Sequence, residues 1–537
     1  RAVQRLAARA AGALHEAARR CLGPGQGAVE RADFEEVFPR LGGWASAVLA
    51  EGVLEPAGEE FRFVDGEFAD WLQGRHLEVD EALAALVHGR GDPNGLCASA
   101  VPRHRFGPVV QALLLCDRLE GPAVLERRLQ PLIGACFGGH GAESTWWATR
   151  LLRETLLRVP DAHSYKGILR ALAERVADAG HLGEFTPWFW RRLPLPTGPK
   201  IELLRLLLPA DPPPGRDSPR GRERCLDVVD ELAAAEPETV RPLLCAWFTD
   251  RRALRGLAQV TADGVPQPTV ASAAQALLYA HRGRATGKLL DLLTDACHPR
   301  ADELLSEFTQ DAPAAMCRAV ERWAHDERSL RRIAAADYGT QLARQDARTD
   351  ADREHLEGAA RALLRRPGEL TLHASALALL LRISDGSDDR EQQLDTALDL
   401  LAATGAEELS DALAGALRMR PEPVLAAFRA RLCEPGSGAH HLVEALAGVR
   451  EAGLARATAE VVREYAELRP ETAGAALITF VQRRLTRGAE DRAGLQLLTD
   501  AMLCTPYAPL RASLARALGE AAAGQVRDEL LDVLLVG

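Results

Sequence analysis

A few stretches of this chain carry residue types and spacings that invite a chemical reading. Gly283-Arg-Ala-Thr-Gly287-Lys288-Leu289 comes nearest to a phosphate loop. A Walker A loop sets four residues between its glycines and follows its lysine with Ser or Thr, to cradle phosphate and hold magnesium. Here three residues separate the glycines and Leu289 follows the lysine, so the stretch reads as a turn between helices. Asp385-Gly-Ser-Asp388-Asp389-Arg-Glu391 gathers carboxylates such as helical isoprenoid enzymes use to hold magnesium and diphosphate. The third carboxylate that would complete that pattern is replaced by Gln392, and Ser387 to Asp389 read as the cap of the next helix. His440-His441 has no Cys, Asp or Glu at zincin spacing and reads as a surface or capping pair. Neither HExxH nor Gly-x-Ser-x-Gly nor a catalytic cysteine signature occurs.

One cluster suits recognition rather than catalysis. Thr186-Pro187-Trp188-Phe189-Trp190-Arg191-Arg192 interleaves aromatics with arginines. Trp188, Trp190, Arg191 and Arg192 are therefore the candidate interaction residues, able to stack on a base or grip a peptide. The competing reading is a short amphipathic helix that packs two aromatics inward, and it applies equally to Trp146-Trp147.

The elements that would position these residues are nearly all helices. Apolar residues recur with the 3.6-residue period along most of the chain, in a background rich in alanine and leucine. Proline, glycine or aspartate breaks the pattern every 12 to 18 residues, with restarts at Pro421, Pro435, Pro470 and Pro506. Beyond Glu369, starts near Glu369, Ala406, Gly436, Glu471 and Pro506 lie 30 to 37 residues apart, the size of a two-helix repeat. No tetratricopeptide or ankyrin signature accompanies it, so the array is expected to be HEAT-like. Glu60-Phe61-Arg62-Phe63-Val64 alternates between flanking glycines and predicts a short strand. The Pro/Gly/Arg-rich run 209–222 marks a boundary, and Asp263 to Pro268 marks a second break or a long turn.

Composition narrows the function classes. The 537 residues carry a net charge of −11, which argues against wholesale binding of nucleic acid. Lys166, Lys200 and Lys288 are the only lysines among 65 basic residues, leaving 62 arginines. A GC-rich gene accounts for that bias, and a surface selected for carboxylate or phosphate pairing is the alternative. Apolar runs are too short for a membrane span, and residues 1–20 read as an amphipathic helix without a signal-peptide core. The ten cysteines show no CxxC and no zinc spacing, lie in apolar helical stretches, and read as reduced and buried. A cytoplasmic compartment is the expectation. The chain opens at Arg1 within a helical pattern and ends within another, as expected of a piece of a longer polypeptide.

One string has family content. Val48-Leu49-Ala50-Glu51-Gly52-Val53-Leu54-Glu55-Pro56 is followed by Phe61-Arg62-Phe63-Val64-Asp65-Gly66-Glu67-Phe68-Ala69-Asp70-Trp71-Leu72 and Gly74-Arg75-His76-Leu77. It reads helix, turn, strand, helix, and it resembles the winged-helix end of STAND-class signalling ATPases of the NACHT and NLR-like kind. The order of a Gly-apolar-Leu turn, an aromatic-Arg-Phe strand and a small-Arg-x-Leu exit carries the resemblance over about 30 residues. In that family a histidine after the strand contacts the phosphates of bound ADP. Here Asp65 stands at that position, and an ionised carboxylate repels phosphate and cannot donate to it. Asp65 also immediately precedes a helix, where an acidic cap is favoured.

The expected fold class is all-α: a winged-helix-like module over 1–90, a helical block over 91–210 and HEAT-like repeats over 211–537. The resemblance implies the regulatory, sensor part of a STAND-type NTPase. Its repeats would bind a protein or other trigger and couple it to a nucleotide-binding domain upstream of Arg1. ATP or ADP is implied for that upstream domain, and no cofactor, metal or catalytic residue is assigned to this chain. Neither nucleic acid nor a membrane is an expected partner, and homo-oligomerisation is left open. The alternatives are a freestanding α-solenoid scaffold, an α-helical enzyme with a dispersed active site, and a HEAT-like nucleic-acid binder. Interleaved Asp and Glu, as in Arg344–Glu357, argue against the last.

Overall fold

A computed structural model describes residues 2–21, 28–88, 103–138, 141–213, 223–255, 267–345, 349–383, 388–434, 438–486, 491–520 and 525–536. Among these are 29 α-helices and one three-stranded sheet. The chain forms two compact units, residues 1–281 and 282–537.

The first unit opens with the helix α1 (Ala2–Arg20), strand β1 (Ala28–Glu30), helices α2 (Arg31–Val37) and α3 (Trp44–Ala50), strands β2 (Leu54–Ala57) and β3 (Glu60–Phe63), and helices α4 (Gly66–Gly74) and α5 (Val79–Leu86). The predicted strand at 60–64 is present as β3, and it is the central one. It pairs antiparallel with β1 through Val29 and Phe61, and with β2 through Glu55 and Arg62. The sequence reading missed β1 and β2, for a physical reason. At three and four residues they are too short to show an alternating pattern, and Pro56 interrupts β2. Gly58, at φ +72°, supplies the left-handed turn between β2 and β3. One face of the sheet buries Val29, Leu54, Phe61 and Phe63 against Phe34, Phe38 and Leu72. Phe34 stacks on Phe61 with centroids 3.7 Å apart. Each buried phenylalanine is worth about 1.5–3 kcal/mol, so these few residues give the module a core of its own.

Helical hairpins follow: α6 (Phe106–Glu120), α7 (Pro122–Phe137), α8 (Ala142–Arg158), α9 (Lys166–Ala179), α10 (Pro187–Arg192), α11 (Thr197–Leu207), α12 (Cys225–Ala235), α13 (Pro237–Ala246) and α14 (Val270–Ala280). Each packs on its sequence neighbour or next but one, giving two rows, α6–α8–α10–α12 and α7–α9–α11–α13. Proline occupies the first turn of α7, α10 and α13, where its missing N–H costs nothing. Helix α4 joins the sheet module to this stack at α6. The approach is close enough that a Cβ on Gly74 would lie 2.8 Å from the Pro108 carbonyl oxygen.

The second unit repeats the scheme with α15 (Thr286–Ala296), α16 (Pro299–Asp311), α17 (Pro313–His325), α18 (Ser329–Leu342), α19 (Asp350–Leu364), α20 (Leu370–Ile383), α21 (Asp388–Thr404), α22 (Ser410–Ala416), α23 (Pro421–Cys433), α24 (Ala439–Gly448), α25 (Ala455–Leu468), α26 (Ala473–Leu485), α27 (Arg492–Cys504), α28 (Ala508–Glu520) and α29 (Gln525–Val536). The even-numbered helices from α16 to α28 form one row, and the odd-numbered helices from α21 to α29 lie along the other. The predicted repeat starts fall within a few residues of α20, α22, α24, α26 and α28, at 370, 410, 439, 473 and 508. A helical-repeat stack is thus the architecture, each hairpin burying its apolar face against its neighbours.

Smaller expectations resolve in the same terms. Gly283 to Ala285 form a turn, Gly287 lies in the first turn of α15, and no phosphate loop is built. Residues 384–387 and 214–222, and most of the break at 263–268, lie outside the described residues. Cys97 lies outside them too. Cys21, Cys116, Cys225 and Cys317 are buried as expected, whereas Cys297, Cys433 and Cys504 are exposed. Those three sit at or just past the last residue of α15, α23 and α27, where the apolar face runs out into the turn. Among the described residues no helix is long and apolar enough to cross a membrane.

Candidate functional site

Asp65 caps α4. Its Oδ1 accepts from the Glu67 amide at 2.9 Å and from the Phe68 amide at 3.1 Å, satisfying two of the donors a helix start leaves orphaned. The helix that Asp65 starts carries Trp71, over whose ring the Arg75 guanidinium lies at 5.2 Å.

The aromatic–arginine cluster forms α10, and its four candidate residues part company. Trp190 is 1% exposed and donates from Nε1 to the Phe185 carbonyl at 3.0 Å. It anchors the helix and offers a partner nothing, because the helical turn that exposes Trp188 points Trp190 inward. Arg191 is committed to Glu223 and, at 3.0 Å, to Glu231. Trp188 remains on the surface, 41% exposed, between the guanidinium groups of Arg192 at 5.2 Å and Arg153 at 5.9 Å. Of the Trp146-Trp147 pair, Trp147 is fully buried and Trp146 lies under Arg103. His441 pairs with Glu407 at 3.1 Å on the surface. Among the described residues no group of His, Cys, Asp and Glu is placed to hold a metal ion.

One concavity among the described residues was not singled out by any motif. It is a groove of about 960 Å³ between α9, α11 and the turn after α13. Leu169, Leu195, Pro199, Leu203 and Leu206 give it an apolar floor. Its charged lining is lopsided: Lys166, Arg170, Arg205, Arg251 and Arg252 face Glu202 and Asp250. Asp250, 7% exposed, ties the wall together by accepting from Arg205 Nε at 2.9 Å and from Arg252 Nη2 at 2.6 Å. Burial pushes its carboxyl up, but the bonds from Arg252 and Arg205 outweigh that and hold it at about 2. Arg252 also reaches the Arg205 carbonyl at 3.1 Å, locking α11 to the turn. Arg170 pairs along its own helix with Glu174 at 2.9 Å, an exposed pair of little strength. Lys166 and Arg251 are exposed and have no ionic partner among the described residues.

The second unit carries a groove of opposite sign, about 620 Å³, between α16, α18, α20 and the turn at Glu407–Leu409. Asp302, Asp337 and Glu408 line it, with Arg344 directed to Asp411 at 3.2 Å. Leu330 and Ile333, 59% and 45% exposed, stand on its α18 wall. Burial, then the neighbouring charges of Glu408 and Asp302, push the Asp337 carboxyl up. A faint signal for the first groove was present in the sequence, since Lys166 is one of only three lysines. Nothing marked the second.

No protein-family model matches the chain, and no curated protein matches it. Among solved structures it is similar to a chain from work on a phosphorylation switch controlling the interaction between cadherin and beta-catenin. The identity is 13% over 88% of this chain and 96% of that chain, with a TM-score of 0.23. At that score the likeness bears on neither fold nor function.

Proposed function

We propose that this chain is a recognition module: stacked helical hairpins that hold a protein partner in a surface groove. The observation that carries the reading is the groove between α9 and α11, where an apolar floor is rimmed by Lys166 and Arg251, cations with no internal partner among the described residues. A structural role alone gives no reason for that pairing of features, since fold-stabilising charges in this protein are answered, as Asp250 is by two arginines.

In its finer form the proposal makes the module the sensor part of a STAND-type switch, with residues 1–90 a winged helix next to a nucleotide-binding domain upstream. Support comes from the family-like string at 48–77 and from the β2–β3 hairpin turning at Gly58, which has the form of a wing set against helices. The coupling would be a two-state one, the trigger shifting the switch by its differential affinity for the two arrangements. The freestanding scaffold is the alternative. Reading the gene in frame upstream of Arg1 separates them. A Walker A loop followed by an acidic magnesium-binding strand is the expected result. A start codon within a few residues of Arg1 overturns the switch and leaves the scaffold.

A further inference from the structure

We propose that the groove between α9 and α11 takes an acidic segment of a partner protein that also carries leucine-like side chains. This deepens the recognition reading above and rests on it. Five cations face two carboxylates in the lining, on a chain whose net charge is −11. The local surplus therefore runs against the composition. Arg205 and Arg252 are spent on Asp250, so the unanswered charge is carried by Lys166 on one wall and Arg251 on the other. A ligand lying between them with Asp or Glu on both flanks would neutralise both.

The floor decides which anion. Leu169, Leu203 and Leu206 offer apolar surface and no Phe, Tyr or Trp lines the groove, the imidazole of His163 being the one ring in its lining, so a nucleic acid would find little to stack on. A polyanion without apolar groups would leave that floor wet. An acidic segment with aliphatic side chains answers both features, charge at the rim and burial at the floor.

The test uses the purified chain and fluorescence anisotropy with a short fluorescein-labelled peptide repeating Glu-Glu-Leu-Leu. Three companion probes are the same repeat with Lys for Glu, polyglutamate of equal length, and a single-stranded oligonucleotide. The Glu/Leu peptide is expected to bind, more weakly as salt rises. Lys166→Glu with Arg251→Glu, both on exposed positions, is expected to weaken it at least tenfold and to gain binding of the Lys/Leu peptide. Lys166→Ala with Arg251→Ala gives a smaller loss and guards against a folding artefact of the reversal. Equal binding by polyglutamate or the oligonucleotide overturns the proposal in favour of a general polyanion surface. So does an affinity that neither double variant changes. Binding of the Lys/Leu peptide alone to the unaltered protein overturns the partner class while leaving the recognition reading standing. Binding of neither peptide removes both.

Discussion

The groove at Lys166–Arg252 and the groove at Asp302–Glu408 are made of the same material: repeat helices, leucines below, charges at the rim. They differ in where the charge is answered. In the first, the carboxylate of Asp250 is buried and held by two arginines, and the surplus lies in exposed cations at the rim. In the second, burial together with the nearby charges of Glu408 and Asp302 raises the cost of ionising Asp337. A repeat scaffold thus leaves rim charge free to vary, because neither sign is needed to hold the hairpins together. What the hairpins need is the apolar stripe, and that is the same in both.

The comparison can be broken at its strongest joint first. Asp250→Ala leaves Arg205 and Arg252 without their shared carboxylate at a nearly buried position. It should cost about 2 kcal/mol in denaturant unfolding, given roughly 1–3 kcal/mol for an orphaned polar group. The sign of the pH effect follows. The folded carboxyl titrates at about 2, below the roughly 3.9 of an unfolded chain. Its contribution is present above that unfolded value and is lost as pH falls through the folded one. The gap between Asp250→Ala and the parent should therefore close on acidification. A gap that persists at low pH would show that Asp250 acts through packing alone.

The acidic groove should respond in the opposite sense and more weakly. Asp337→Asn removes the carboxylate that Glu408 and Asp302 repel and should stabilise by a few tenths of a kcal/mol, the scale of like-charge pairs on helices. Because the folded carboxyl sits above its ordinary value, Asp337 makes the protein lose stability as pH rises from about 4 upward. That slope should shrink in the Asn variant. A loss of stability on substitution would mean that the groove carboxylates hold structure together. Smallest of all, Lys166→Ala with Arg251→Ala should leave the melting temperature within the scatter of surface substitutions, about 0.5 kcal/mol. A larger drop would make those cations structural and weaken the case for a partner.

The helical stack was legible along the chain because its signal is local and repeated. Periodicity placed the starts near 369, 406, 436, 471 and 506, within a few residues of the helices that begin at 370, 410, 439, 473 and 508, and proline marked the first turn of many helices. The strand β3 was legible from Phe61 and Phe63, and the cap role of Asp65 from its place before Gly66. Its partners β1 and β2 were not, since a three- or four-residue strand is defined by its neighbour's hydrogen bonds more than by its own residues. The α10 cluster was found as a cluster, but its division into a buried Trp190 and an exposed Trp188 depends on which way one turn faces.

The sequence by itself determined that this protein is built of short helices in tandem, that its lysines are few, and that no motif of known catalytic spacing is present. Those properties reside in residue type and in separations of a few positions along the chain. The tertiary structure alone decided which charges are spent and which are left over. Arg205 and Arg252 look no different from Arg251 in the sequence, yet a carboxylate 45 positions from Arg205 consumes two of the three. Electrostatic pairing acts across a few ångströms of space, and in a stack of hairpins it closes Arg205 on a carboxylate a whole repeat away as readily as it closes Arg252 on the same carboxylate two positions away.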